Sequence, residues 1–190
     1  MESLIEQALK ESLEVKEVFT RRNMQELVHL AERITEAFRR DRKLMICGNG
    51  GSAADSQHIA AEFVNRFVLE RPPLPALALT TDSSILTSIG NDYSFEEVFS
   101  KQVKAVGLEG DILLAISTSG HSRNVIQAVK TARRRGIYTA GLMGGDGGAL
   151  RELVDIPLVA DSPKTARVQE AHIFAGHLLC EMVDELLFKR

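Results

Sequence analysis

Two side chains that can exchange protons stand one helical turn apart in the first half of the chain. His58 and Glu62 occupy positions i and i+4 of the stretch LMICGNGGSAADSQHIAAEFVNRF, residues 44–67. On a helix this spacing puts an imidazole and a carboxylate on one face. The pair could bind a metal or move a proton, so this face is a candidate for chemistry.

The segment before this pair has the pattern of an anion-binding site. A short apolar run, Leu44–Cys47, predicts a buried strand, and Gly48-Asn49-Gly50-Gly51 predicts a turn that a ligand can approach closely. Ser52 stands where the N-cap of the next helix is expected. A strand, a glycine turn and a helix N-terminus in this order favour a phosphate or carboxylate. The helix itself carries an apolar stripe for the core, formed by Ile59, Phe63 and Phe67.

A second polar loop has an unusual density of hydroxyl groups. Four of the six residues in Ser117-Thr118-Ser119-Gly120-His121-Ser122 carry a hydroxyl, and the loop follows an apolar run at 111–116. One such residue alone is ordinarily a helix cap. Four together, beside the free N–H groups of a helix start, favour a site for a compact phosphate monoester.

The last helical pattern, residues 165–187, is apolar except for one group of side chains: Arg167, Gln169, Glu170, His172 and His177. A lone histidine in such a helix is more often a core residue than a ligand. Gln169 and His177 lie two turns apart, about 12 Å along the axis at ~1.5 Å per residue. They could hold opposite sides of a small substrate, or share a metal if their side chains converge. The spacing leaves both interpretations open.

The elements that must position these groups alternate between strands and helices. Apolar runs predict strands at 44–47, 74–79, 111–116, 138–142 and 155–159, with helical patterns between them. This alternation indicates an α/β fold, a doubly wound sheet of about five parallel strands in three layers. Ligands then bind beyond the carboxyl ends of the strands, where loops 48–52, 80–84 and 117–122 should gather. Residues 88–93 are rich in turn formers and predict a loop.

Residues 1–40 precede the first strand and contain two helical patterns. In the second, apolar residues recur at spacings of three and four, at Met24, Leu27, Ala31, Ile34 and Phe38. We expect a single domain over 1–190, with an N-terminal helical pair in 1–40 and an α/β core in 41–190. The apolar stripe of the pair packs either on the domain's own sheet or on a partner subunit, and the pattern favours neither.

Composition narrows the class of protein. A net charge of −3 at pH 7 argues against a nucleic-acid binder that acts through a general electrostatic field. No apolar run approaches the length of a membrane span, and the first residues lack the pattern of a signal peptide. Two cysteines, Cys47 and Cys180, do not indicate a disulfide framework. We therefore expect a cytoplasmic protein with no nucleic-acid and no membrane partner.

A nucleotide site is the weaker interpretation of the glycine turn. Gly48, Gly50 and Ala53 satisfy a relaxed dinucleotide fingerprint, but Asp82 lies later than the acidic residue of that fingerprint should. No lysine follows the glycines, so a Walker-type loop is excluded. An oxidoreductase that binds a nucleotide is therefore the least favoured class.

Five segments resemble the sugar isomerase (SIS) domain family and, within it, the isomerases of seven-carbon sugar phosphates. In order they are GNGGSAADSQHIAAEF, LALTTDSS, SIGNDYSFEEVF, GDILLAISTSGHSRNV and TARVQEAHIFAGHLLCE, and the resemblance runs nearly from end to end. His121 stands where the family usually has asparagine. A replication-initiation factor that binds the bacterial initiator protein is similar, but it lacks acid–base residues at the positions of Glu62 and His177. Their presence here favours the enzyme over a non-catalytic module that binds the initiator or senses a sugar phosphate.

The resemblance implies a ketose–aldose isomerase that moves a proton between C1 and C2 through an enediol. The implied reaction converts sedoheptulose 7-phosphate to D-glycero-D-manno-heptose 7-phosphate, the first step towards ADP- or GDP-heptose and lipopolysaccharide heptose. Glu62 is the expected base and His177 the expected acid. The residues expected at the substrate are Asn49, Gly50, Gly51, Ser52, Glu62, Asn91, Asp92, Ser117, Thr118, Ser119, Ser122 and Gln169.

The resemblance also implies a metal and an assembly. One zinc ion per subunit is expected, held by His58, Glu62, Gln169 and His177. The implied assembly is a homotetramer in which the N-terminal helices of residues 1–40 help to form the site between subunits. The expected partners are thus a sugar phosphate and further copies of the chain.

Overall fold

The computed structural model describes residues 1–189, in which strands and helices alternate. The helices are α1 (Glu2–Arg22), α2 (Met24–Arg39), α3 (Gly51–Val64), α4 (Ser83–Asp92), α5 (Val98–Val106), α6 (Arg123–Arg134) and α7 (Thr165–Phe188). The strands are β1 (Leu44–Cys47), β2 (Ala76–Ala78), β3 (Ile112–Ser117), β4 (Tyr138–Gly144) and β5 (Ile156–Ala160). Among the described residues, no helix has both the length and the apolar content needed to span a bilayer.

The five strands form one parallel sheet in the order β2-β1-β3-β4-β5. This order is that of a flavodoxin-like doubly wound fold, so the predicted fold class is confirmed. The strand order reverses between β1 and β3, and the loops that follow these two strands are the glycine turn and the segment 117–122. A crevice at this position is where such sheets bind ligands.

Alternate strand residues face two different helical layers. Leu44 and Ile46 of β1 belong to a core shared with α1, α2, α3 and α7. Met45 and Cys47 belong to a second core shared with α5 and α6. Because both faces of the sheet are covered, all four residues of β1 are buried and the strand is apolar throughout.

The two N-terminal helices bury their apolar residues to different extents. Helix α2 packs Leu27, Ala31 and Ile34 into the first core, so its stripe lies on the domain's own sheet. Helix α1 buries only Ser12 and Phe19. Its first turns leave a row of large apolar side chains exposed: Leu4, Ile5, Leu9 and Leu13.

The prediction of a loop at 88–93 was wrong, because most of this segment is the second half of α4. The helix is started by Asp82, whose side chain accepts a hydrogen bond from the Ile85 N–H at 2.9 Å. Leu86 and Ile89 then pack against the second core. The turn-forming residues Gly90 and Asn91 fall in the last turn of an exposed helix, where they are tolerated.

The boundaries of α3 also differ from the prediction. Gly50, with a φ of 54°, is the N-cap, and Ser52 lies inside the first turn, buried against Gly48. Glycine reaches this φ without a steric penalty, so the chain enters the helix two residues earlier than Ser52 indicated. At the other end the helix stops at Val64, so Phe67 lies in the following loop rather than on the helical stripe.

Candidate active site

Three titratable side chains meet where α3 packs against α7. His58 Nε2 lies 2.9 Å from His177 Nε2 and 3.3 Å from Glu62 Oε1. The His58 side chain is 48% exposed and that of Glu62 is 25% exposed, so the cluster is open on one side. His58 and Glu62 thus share one helix face, as predicted. The His177 imidazole, 119 positions later in the chain, joins them.

Close packing of the two helices brings these groups into contact. Ile59, adjacent to His58, is fully buried against Gly176, which precedes His177. A β-carbon on Gly176 would lie 2.6 Å from the Ile59 side chain, closer than packed atoms allow. The missing side chain therefore lets α3 and α7 approach, and the histidines at the next positions reach each other.

The cluster fits a zinc ion by its chemistry and its spacing. The nitrogen and oxygen ligand atoms of His58, Glu62 and His177 all lie within 4.8 Å of one another. Two ligands of a tetrahedral zinc at ~2.0–2.1 Å stand about 3.3 Å apart, close to the separations found here. Two imidazoles and one carboxylate, with a fourth position open, form a ligand set typical of catalytic zinc.

Gln169 does not lie with these three residues. Its amide faces the start of α3, where a β-carbon on Gly51 would be only 2.3 Å from Gln169 Nε2. Gly51 precedes His58 by seven residues, so the amide is about two turns from the cluster along α3. The chain as folded thus places Gln169 beside the glycine turn, and its predicted place among the metal ligands stays a prediction.

Phe67 closes one side of the cluster. Its ring is stacked on the His177 ring, with the centroids 5.2 Å apart and the planes at 23°. The His58 and His177 rings are tilted by 52° at 5.0 Å. The orientation of His177 is therefore defined by an aromatic face and by the Nε2 contact together.

The hydroxyl-rich loop 117–122 is compact and lies at the end of β3. Ser117 Oγ donates to Ser122 Oγ at 2.9 Å, and Ser119 Oγ accepts from the His121 N–H at 3.2 Å. Gly120 has a φ of 66°, and a β-carbon there would lie 1.9 Å from the Gly147 carbonyl oxygen. The loop is therefore held against the turn that follows β4, with Ser122 as the N-cap of α6.

An amide pair joins this loop region to the glycine turn. Asn49 Nδ2 donates to Asn124 Oδ1 at 2.9 Å, and Asn124 Nδ2 donates to Asn49 Oδ1 at 2.8 Å. Asn124 is buried in the first turn of α6, and Asn49 follows β1. The pair thus crosses the point where the strand order reverses and ties the two predicted anion loops together.

Other predicted substrate residues lie at the end of α4 or are buried in the first turn of α3. Asn91 and Asp92 form a hydrogen bond with each other at the exposed end of α4, and among described residues neither bonds to the glycine turn or to loop 117–122. Ser52 is 3% exposed. The structure therefore joins Asn49 to the start of α6, next to loop 117–122, and it leaves Asn91 and Asp92 at the exposed end of α4.

Two further titratable groups on α3 and α7 have pKa values shifted by burial. Asp55 lies on α3 between Gly51 and His58, and burial raises the pKa of its carboxyl while the His58 imidazole opposes the rise. His172 of α7 is fully buried, and burial lowers its pKa to about 4. His172 is thus a neutral core histidine.

Comparison with known proteins shows the family of the chain and several similar proteins. The SIS domain model matches residues 9–144, so the chain belongs to the SIS domain family. A phosphoheptose isomerase of Nitratidesulfovibrio vulgaris is 55% identical over 179 residues, covering 94% of this chain and 86% of that protein. The structure of a phosphoheptose isomerase from Neisseria gonorrhoeae has a TM-score of 0.92 and 43% identity, covering 97% of this chain and 98% of its own. A phosphoheptose isomerase from Francisella tularensis also has a TM-score of 0.92, with 37% identity and 96% and 97% coverage.

Several residues of the site carry no signal in the sequence. Asn124 lies in an ordinary helix start, and Phe67 has the spacing of a core residue. Arg71, whose guanidinium donates to the Glu62 carbonyl at 3.0 Å, belongs to a segment, Glu70-Arg71-Pro72-Pro73, that predicts only a turn. Asp55 alone could have been found, because it lies three residues before His58 on the same predicted helix.

Proposed function

We propose that the chain catalyses the phosphoheptose isomerase reaction, the interconversion of sedoheptulose 7-phosphate and D-glycero-D-manno-heptose 7-phosphate. The observation that carries the proposal is the contact of a carboxylate and two imidazoles at His58, Glu62 and His177. Relatives at 37–55% identity that bear the name phosphoheptose isomerase favour this enzyme over a non-catalytic SIS module. The product would then enter the synthesis of nucleotide-linked heptose.

Glu62 and His177 divide the proton transfers between them. The Glu62 carboxylate takes the proton from C1 of the ketose while His177 donates a proton to the carbonyl oxygen at C2, which gives the enediol. Protonated Glu62 then delivers its proton to C2, and the hydroxyl at C1 returns a proton to His177 as the aldehyde forms. Both residues end as they began, so the cycle needs no outside acid or base.

The phosphate group is held away from the reacting carbons. Ser119, Ser122 and Thr118 offer hydroxyls at the N-terminus of α6, where free N–H groups and the helix dipole favour an anion. Asn49, Gly50, Gly51 and Gln169, at the glycine turn, then contact the sugar hydroxyls, and Ser52 supports this turn from beneath. Asn91 and Asp92, which are exposed at the end of α4, also contact the sugar hydroxyls.

Zinc binds at the cluster, one ion per subunit. His58, Glu62 and His177 would hold it. The family resemblance implies Gln169 as a further ligand, and for this the Gln169 amide would have to turn away from Gly51 towards the cluster. When bound, the ion supplies Lewis-acid polarisation of the substrate carbonyl. The chain's own residues still hold and move the protons at C1, C2 and their oxygens.

The working form is a homotetramer, with the domain of residues 1–190 as its subunit. The exposed row on α1, with Leu4 62% and Ile5 67% exposed, favours an interface there, and the half-open cluster favours a neighbouring chain that covers it. Deleting residues 1–22 should therefore dissociate the assembly and abolish turnover together. Light scattering with an activity assay checks this, and an active monomer of either length contradicts it.

We place the reaction in the cytoplasm. Cys47 and Cys180 are buried and unpaired, as in proteins of a reducing compartment. Burial raises the pKa of the Cys47 thiol to about 12 and also raises that of Cys180. Both thiols are therefore unreactive core residues rather than redox groups.

An assay with sedoheptulose 7-phosphate in D₂O tests the reaction. An enediol mechanism predicts formation of the aldose phosphate with deuterium incorporated from solvent at C2. Deuterium enters because the partly exposed Glu62 carboxyl can exchange its proton with solvent before it protonates C2. Turnover without exchange that persists at the wild-type rate in Glu62→Gln indicates a direct hydride shift and overturns the proton-transfer mechanism. No turnover, in a protein that still binds the sugar phosphate, favours the sensing module instead.

A further inference from the structure

A buried ion pair joins the segment after α3 to α7. Arg71 Nε donates to Asp184 Oδ1 at 2.8 Å, and only 1% and 6% of the two side chains are exposed. Asp184 lies seven residues after His177, two turns further along α7. Because desolvation offsets the attraction between buried charges, such a pair is weak evidence for stabilisation and invites another explanation.

The guanidinium also holds the end of α3. Arg71 Nη1 donates to the Phe63 carbonyl at 2.7 Å, and Nη2 donates to the carbonyl of Glu62 itself at 3.0 Å. The last turn of α3 has no basic residue of its own. Arg71 therefore supplies the positive charge and the donors that the free carbonyls of a helix C-terminus need.

The same side chain fixes the loop that carries Phe67. Arg71 Nη1 lies 3.4 Å from the Asn65 carbonyl and 3.2 Å from the Pro72 carbonyl, so it bonds on both sides of Phe67. The Phe67 ring is the one stacked on His177. The segments that carry Glu62, Phe67 and His177 are thus tied to one guanidinium.

We infer that Arg71, held by Asp184, is a positioning residue that sets the separation of Glu62 and His177. The inference rests on the proposed function, in which these two groups exchange protons with the substrate. Arg71 bonds to main chain and to Asp184, so it acts through Glu62 rather than on the sugar. A misplacement of about 1 Å at a reacting group can reduce the rate by roughly 10²-fold, whereas phosphate binding at 117–122 should be unaffected.

A second buried ion pair provides the matched control. Lys43 Nζ donates to Asp111 Oδ2 at 2.6 Å, and Asp111 also accepts from the N–H groups of Lys43 and Leu108. This pair precedes β1 and β3, at the edge of the sheet opposite to the loops of the site. It has the same chemistry as the first pair but no connection to the cluster.

The experiment compares Arg71→Met, Arg71→Lys and Asp184→Asn with Lys43→Met and Asp111→Asn. Melting temperature is measured first, and kinetics follow at a temperature where every variant is folded. We expect kcat to fall by about 10²-fold in Arg71→Met, by less in Arg71→Lys, and by least in Asp184→Asn, which keeps an acceptor for Arg71 Nε. KM should change by less than about threefold, since the phosphate handle is intact. The control variants should lose melting temperature but keep kcat.

Two results overturn the inference. The first is an equal fall in kcat in variants of both ion pairs that have lost melting temperature equally. The second is a change in Arg71→Met that is confined to a higher KM, with kcat unchanged. If Arg71→Met does not fold, the kcat of Asp184→Asn is compared with that of Asp111→Asn, and the same two results apply. If the wild type has no isomerase activity, crystal structures decide instead: an unchanged Glu62–His177 separation in Asp184→Asn and Arg71→Lys refutes positioning, and a changed one supports it.

Discussion

The loop 117–122 and the His58–Glu62–His177 cluster form the two halves of the candidate site, and they are built differently. In the loop, hydrogen bonds link neighbours in sequence, such as Ser117 with Ser122. In the cluster, His58 and His177 lie on different helices and are 119 residues apart in the sequence. The loop is therefore assembled by one strand–turn–helix unit, whereas the cluster exists only when α3 docks on α7.

This difference separates binding from chemistry. A phosphate held by the loop is bound equally in the ground state and in the transition state, so the loop should govern KM. In the proposed reaction the cluster meets the atoms that change, so its residues should govern kcat. Substitutions in the two halves test whether this division holds.

The largest effect is expected for Glu62→Gln, which keeps the shape of the side chain but removes the proton-accepting group. Turnover should fall by about 10²–10⁴-fold, the usual contribution of a general base, with little change in stability. Steady-state kinetics with sedoheptulose 7-phosphate measures this. Glu36→Gln, which alters an exposed pair with Arg40 on α2, is the control and should be silent. A Glu62→Gln enzyme with more than half of the wild-type kcat would remove Glu62 as the base.

The next largest effect is expected in the loop. Ser119→Ala with Ser122→Ala should raise KM by about 10²–10⁴-fold, since each of the two hydroxyls bonded to a charged phosphate contributes ~1.5–3 kcal/mol. The value of kcat should stay close to wild type. Ser88→Ala, whose hydroxyl bonds only within α4, serves as the control. A fall in kcat at constant KM would show that these serines act on the reacting atoms. The division between a binding loop and a catalytic cluster would then be wrong.

The smallest effect on turnover is expected from loss of the metal. His58→Ala should leave the purified protein nearly free of zinc, because Glu62 and His177 lie on separate helices and bind the ion poorly without the third cluster ligand. Activity should fall about tenfold rather than vanish, since Glu62 and His177 still transfer protons. Metal analysis and activity before and after chelation provide the test. His29→Ala, which alters a histidine near Tyr138, is the control. Equal zinc content in the two variants would exclude His58 as a zinc ligand.

Patterns that act over short distances along the chain were predictable. The alternation of apolar runs gave the five parallel strands, and the spacing of His58 and Glu62 gave their shared helix face. The hydroxyl loop followed from its position after a buried strand. Errors at this level were local: Gly50 rather than Ser52 caps α3, and Asp82 starts a helix that continues through 88–92. Both arise because one cap residue outweighs the propensity of its neighbours.

The sequence by itself determined on which elements the candidate side chains stand. Only the tertiary structure decided which of them meet. His177 and Gln169 look alike as polar residues of α7, yet packing of Ile59 on Gly176 brings one to His58 and leaves the other at Gly51. Arg71 and Phe67 enter the site through the fold of a loop that has no regular pattern. Periodicity defines the face of one helix, whereas contact between two helices depends on side-chain volumes and buried charges from distant segments.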